Sequence, residues 1–201
     1  MGTYTNLLWN LAGELLPAAD VSLLRSLLAS SSLDYRQIAA FDDGIAGPSL
    51  SRLDYGGICP CDMADRDVFR PLQYCDAYFA SAARGNAEWF ARDLVQMSGL
   101  HLESLVKRIG RVWHLPLGGA LREARVRCRL DAATWSLLDR FTRMYNAAKH
   151  YVSQPKDTHL FSVEDAAVTY FVSRALGNRL YPMAGMTTDL SLFADEGAAG
   201  S

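Results

Sequence analysis

The chain has 201 residues, of which 50% are hydrophobic and 21% are charged, a composition typical of a soluble globular domain with a buried core. Its formal charge of -2 at pH 7 argues against a general nucleic-acid binder, which is usually basic overall, but it leaves room for a local basic site. No apolar run is long enough to span a bilayer and the first residues do not resemble a leader peptide, so we expect a cytoplasmic protein.

The first part of the chain predicts two short helices followed by a long loop. Leucines recur at helical spacing until Pro17 stops the first helix, and Asp20 can cap a second one. From Asp42 to Cys61, six glycines and prolines break any periodicity, which predicts a loop that is long for a compact domain. We therefore interpret residues 1–62 as an N-terminal helical appendage with its loop, and residues 63–185 as the main domain.

The loop also contains Cys59-Pro-Cys61, the one metal-like signal in the sequence. A structural zinc site usually needs two spaced pairs of Cys or His, and Cys75 and Cys128 do not form the second pair. Four dispersed cysteines in a chain without a leader also do not indicate a disulfide framework. We therefore expect reduced thiols, no metal site and no other cofactor.

A long helix, or two stacked helices, is predicted from Asp67 to Trp113. One apolar stripe runs from Val68 to Phe79, and a second runs from Phe90 to Val112. If the run is broken, the break falls at Arg84-Gly85-Asn86, where Asn86 can cap a new helix. His101 lies on the second stripe, so we interpret it as a core histidine rather than a catalytic one.

The segment from Leu115 to Leu130 carries two patterns. Residues 125–130 alternate with the period of a strand, whereas Arg122, Arg125 and Arg129 share a helical face. We favour a short helix. Its arginines are either an ordinary solvated face or an edge that contacts substrate phosphates, since arginine binds phosphate through two N–H groups.

The most informative stretch is a predicted helix of about six turns from Asp131 to Val152, which holds no Gly or Pro. Asp131 can cap its start, and apolar residues fill one broad arc of its surface. Four polar residues share the opposite side, which we call the ridge: Asp139, Arg143, Asn146 and His150. A guanidinium and an imidazole two turns apart on one ridge suit phosphodiester cleavage, which needs a fixed positive charge and a group that titrates near neutral pH. The alternative is an ordinary solvated face with salt bridges.

A last helix is predicted to open at Ser162-Val163-Glu164-Asp165, which is typical of a capping box, and to end before Pro182. Residues 186–201 are predicted to be a flexible tail. The complete pattern predicts an all-α helical bundle.

Three features of the sequence together resemble the HEPN superfamily (higher eukaryotes and prokaryotes nucleotide-binding). They are the segment HLESLVK with Glu103 one turn before Lys107, the spacing Arg143-x6-His150, and the capped helix FSVEDAAVTYFVSRALGNRL. The resemblance covers about Ala87 to Tyr181. The sequence departs from the family at Met144, where a polar residue usually follows the arginine.

The resemblance implies a four-helix core and, as in many members, a metal-independent ribonuclease of a toxin–antitoxin or phage-defence system. Arg143, Asn146 and His150 would then be catalytic, and Arg122, Arg125 and Arg129 would bind RNA. A homodimer is implied, because one helix offers only one imidazole. An antitoxin or defence-complex partner is also implied. The departure at Met144 favours the alternative, a HEPN-like binding or structural subunit without activity. A third interpretation is an unrelated helical domain in which the N-terminal helices carry the function.

Overall fold

The fold is all-α over the part of the chain that the computed structural model describes, namely residues 4–29, 33–45, 47, 49, 66–83, 87–128, 130–150 and 161–186. This confirms the predicted fold class. The described helices are α1 (Thr5–Leu15), α2 (Ala18–Leu28), α3 (Tyr35–Gly44), α4 (Arg66–Ser81), α5 (Ala87–Gly110), α6 (Leu117–Cys128), α7 (Ala132–His150) and α8 (Val163–Leu180), followed by a short 3-10 helix, Pro182–Ala184. None of them is both long enough and apolar enough to cross a membrane.

Helix α8 is the centre of the bundle. Every residue from Asp165 to Gly177 is buried, so this helix has no solvent-facing side over its middle. A helix that is enclosed in this way must be surrounded by other elements, and α5 and α1 pack most extensively against it. Helix α5 also contacts α4, α6 and α7, and it therefore links the central helix to the helix that carries the ridge.

Two helix starts confirm the caps predicted from sequence. Ser162 and Asp165 form a reciprocal capping box at α8. N of Ser162 donates to Oδ2 of Asp165 at 2.9 Å, and N of Asp165 donates to Oγ of Ser162 at 3.1 Å. At α7, Oδ1 of Asp131 accepts a hydrogen bond from N of Thr134 at 2.8 Å. The predicted cap Asp20 is wrong, because α2 begins earlier, directly after Pro17. Asp20 instead lies in the first turn of α2, where its negative charge interacts favourably with the helix dipole.

Helix α1 shares the core with the later helices. Leu8 and Leu11 are fully buried, and Nε1 of Trp9 donates to Oε1 of Glu164 on α8 at 2.7 Å. The predicted division of the chain at residues 62 and 186 stays a prediction, because both boundaries lie within or beside residues that the structure does not describe.

Helix α3 has no counterpart in the sequence prediction. Asp34 caps it by accepting a hydrogen bond from N of Arg36 at 2.9 Å, and Ile38 and Phe41 bury its inner side. Ile38, Phe41 and Ile45 are buried at helical spacing, so the sequence did contain a signal for this helix. The predicted loop therefore begins after Gly44 rather than at Asp42.

The two ambiguous segments are resolved as helices. The run from Asp67 to Trp113 is divided between α4 and α5, which lie on either side of the predicted break at residues 84–86. The segment after Pro116 forms α6, so the helical alternative is correct for the arginine-rich stretch.

Candidate functional site

Helix α7 turns one side to the core and the other to solvent, as predicted. The residues of its apolar arc are all buried: Leu137, Leu138, Phe141, Met144, Tyr145 and Ala148. The predicted continuation to Val152 lies outside the described residues. With this arc packed inside, the opposite side of the same helix must face outward.

The ridge residues that the structure describes lie together on this outward side. The Arg143 side chain is 77% exposed, and its Nη2 donates to Oδ2 of Asp139, one turn earlier, at 2.6 Å. Asn146 is exposed as well. His150 is the final residue of α7, two turns after Arg143 in the same helix, while its side chain lies outside what the structure describes. An exposed ion pair is worth at most about 1 kcal/mol, so Arg143 can exchange Asp139 for an anionic ligand at little cost.

One flank of the ridge contacts α1. Both Nη atoms of Arg140 donate to the two carboxylate oxygens of Glu14, each at 2.7 Å. This two-point contact fixes the N-terminal half of α7 against α1, because the planar guanidinium matches the carboxylate geometry.

The other flank contains a carboxylate on α5. Glu103 is only 5% exposed, and it accepts hydrogen bonds from the Tyr145 hydroxyl at 2.9 Å and from Nζ of Lys149 at 3.0 Å. Lys107 binds its other oxygen at 2.7 Å. Burial tends to raise the pKa of Glu103, but the hydrogen bonds from Lys107, Lys149 and Tyr145 outweigh burial and lower the pKa. Glu103 is therefore ionised near neutral pH, and it directs Lys149 away from the ridge.

The arginines of α6 lie toward the start of α7. The Arg125 guanidinium stacks over the Trp135 indole, 4.3 Å from the ring centre, and Arg122 is exposed. Trp135 precedes Arg143 by eight residues, a rise of about 12 Å along the helix. Arg129 lies outside the described residues. The described arginines thus border one end of the ridge without contacting Arg143.

His101 is a core histidine, as interpreted from its place on the apolar stripe. It is fully buried, with Nδ1 2.7 Å from the carbonyl oxygen of Val68 and Nε2 3.0 Å from the Tyr181 hydroxyl. Since a carbonyl can only accept, Nδ1 carries the proton, and Nε2 accepts from Tyr181. Burial lowers the pKa of His101 to about 4, so the ring is neutral at pH 7.

This low pKa predicts a loss of stability in mild acid. Below pH 6.5 the unfolded chain protonates His101 while the folded chain does not, so the free energy of unfolding falls as the pH falls toward 4. We expect a His101→Gln variant to be less stable than the wild type at pH 7. Between pH 7 and pH 5, however, its free energy of unfolding should fall by about 1 to 2 kcal/mol less than that of the wild type. Urea unfolding at both pH values measures this. Equal losses in the two proteins would contradict the assignment.

A buried charged network joins α3 to α8, and it was not predicted from the sequence. Arg174 and Asp42 are both fully buried, with Nε of Arg174 3.1 Å from Oδ1 of Asp42. The Tyr170 hydroxyl donates to the other oxygen of Asp42 at 2.9 Å, and Nη2 of Arg174 donates to the carbonyl oxygen of Ile45 at 3.2 Å. The available signal was Arg174, which lies within the run of apolar positions along α8. Because the network is enclosed, we interpret it as structural.

Within the described residues, no group of three or more potential metal ligands is present. Cys59 and Cys61 lie outside those residues. Cys75 is buried, and burial raises the pKa of its thiol, which keeps the thiol protonated and unreactive.

Comparison with known proteins adds no family assignment. No protein-family model matches the chain, and no curated protein or solved structure matches it significantly.

Proposed function

We propose that the protein is a metal-independent endoribonuclease whose active site is the ridge of α7. The observation that supports this is the exposure of Arg143 and Asn146 on one uncovered helix face, in the unbroken helix that ends at His150. Arg143 is held only by an exposed ion pair among the described contacts, so its charge is available to a phosphate.

The proposed chemistry is transesterification. The 2′-hydroxyl of RNA attacks the adjacent phosphorus, the bond from phosphorus to the 5′-oxygen breaks, and a 2′,3′-cyclic phosphate and a 5′-hydroxyl result. His150 takes the proton of the 2′-hydroxyl or supplies one to the 5′-oxygen, since imidazole titrates near neutral pH. Arg143 stabilises the charge on the nonbridging oxygens, and Asn146 orients the phosphate. Arg122 and Arg125 on α6, together with Arg129, bind the flanking RNA.

The ridge of each chain contains one imidazole, whereas the reaction uses both a base and an acid. We therefore propose a homodimer in which the ridges of two protomers face each other across a two-fold axis. A toxin or phage-defence role, with an antitoxin or other defence partner, follows from the HEPN resemblance.

A second candidate function is a HEPN-like subunit that binds without cutting. Met144 favours it, because this residue follows Arg143 where the family usually has a polar side chain, and it is fully buried in the core. Met144 therefore cannot assist at the ridge. Asn146 is the exposed polar residue nearest in sequence that can replace it.

The test is cleavage of single-stranded RNA by the purified chain, with and without EDTA. We expect cleavage that survives the chelator, products ending in a 2′,3′-cyclic phosphate, and no cleavage of DNA of the same sequence, which lacks the attacking hydroxyl. Light scattering at micromolar concentration should give a dimer. Absence of cleavage would favour the binding subunit, cleavage that requires magnesium would contradict the acid–base mechanism, and a monomer would contradict the shared site.

A further inference from the structure

The last turn of α7 is attached to α5 by side chains that bind its backbone. Nε of Arg92 and Nε2 of Gln96 both donate to the carbonyl oxygen of Ala148, at 3.0 and 2.9 Å. Ala148 is two residues before His150, the last residue of α7. Positive charge near the C-terminal end of a helix is favourable because of the helix dipole.

The same two helices are already in close contact one turn further along α5. At Gly99, an added Cβ would lie 2.1 Å from Cδ2 of Tyr145, so the α5 backbone touches this ring directly. Glu103 then binds Tyr145 and Lys149 from the next turn of α5. These contacts set the distance between α5 and α7 without help from Arg92 or Gln96.

Arg92 and Gln96 bind the same atom of α7, the carbonyl oxygen of Ala148. Their effect is geometric, because two donors from successive turns of α5 fix this carbonyl both along the α7 axis and around it.

We propose that Arg92 and Gln96 are positioning residues, which hold the last turn of α7 so that His150 stands in the correct place relative to Arg143. This inference rests on the proposed ribonuclease function. Its physical basis is the narrow tolerance of catalytic geometry, since a misplacement of about 1 Å can reduce a rate about 100-fold.

The experiment compares the wild type with the double variant Arg92→Met/Gln96→Leu. Arg92→Lys is the conservative variant, since it keeps a cationic donor, and Arg36→Met is the matched control, since it removes an exposed arginine on α3. We expect faster amide hydrogen exchange in residues 145–150 of the double variant. We also expect its kcat to fall about 10- to 100-fold, with KM within about twofold of the wild type. Arg92→Lys should retain most of the kcat, and Arg36→Met should match the wild type.

The outcomes separate this inference from the proposed function. If the wild type cleaves RNA and the double variant keeps its kcat, the positioning role is wrong and the ribonuclease stands. The positioning role is also wrong if kcat falls equally in the double variant and in Arg92→Lys and amide exchange in the last turn of α7 is not faster. If the wild type does not cleave RNA, the proposed function is wrong and the positioning role falls with it, although faster exchange would still establish the attachment as structural.

Discussion

Replacing Arg174 with Met is expected to lower the free energy of unfolding by about 3 to 5 kcal/mol, the largest stability effect that we predict for a single substitution. Asp42 is fully buried, and the guanidinium lies 3.1 Å from its Oδ1. Without the arginine, a carboxylate stays in the core with its charge uncompensated. Urea unfolding at pH 7 measures the loss, and failure to fold cooperatively would be its extreme form.

The double variant Asp42→Asn/Arg174→Met separates the charge from the loss of packing. It removes both charges and keeps a polar group facing Tyr170, so we expect it to recover much of the lost stability. Arg127→Met is the matched control, because Arg127 pairs with Glu123 at the surface, where the two side chains are 54% and 44% exposed. This control should change stability by less than about 1 kcal/mol. A similarly small loss for Arg174→Met would contradict a structural role for the buried pair.

The helices with sustained periodicity could be predicted from the sequence. In α7, the apolar arc repeats from Leu137 to Ala148, and burial of every described member of the arc follows from that repeat. The caps at Asp131 and Ser162 were equally accessible, because the capping side chain lies within three residues of the amide that it binds.

Contacts between distant segments could not be predicted in this way. Asp42 and Arg174 are 132 positions apart, and no local pattern indicates that these two side chains will pair. The donors to Ala148 were missed for a related reason, because a bond to a backbone carbonyl requires no particular residue at the acceptor position. Helix α3 is different, because the buried spacing of Ile38, Phe41 and Ile45 is a local pattern that the sequence contains.

For the candidate site, the sequence predicted which residues of α7 face outward, and it could not predict their neighbours. Arg143 and Asn146 are exposed, as the helical period requires. The helical period also predicts that Lys149 points away from the ridge, but its partner Glu103 depends on how α5 packs against α7, which is a tertiary property.

The most direct measurement of the proposed function compares RNA cleavage and melting temperature for the wild type, His150→Ala and Arg143→Ala, with Arg36→Ala as the matched control for loss of an exposed arginine. We expect His150→Ala to lose about 10²- to 10⁴-fold in cleavage rate, because general acid–base catalysis contributes that much. Arg143→Ala should lose about 10²- to 10³-fold, as expected when a group that stabilises transition-state charge is removed. Arg143 is 77% exposed, so its loss should change stability by no more than about 0.5 kcal/mol. Arg36→Ala should match the wild type in both measurements. Undiminished cleavage by His150→Ala would contradict the assignment of the ridge as the active site. If the wild type does not cleave RNA and both ridge variants have a lower melting temperature, the ridge is structural.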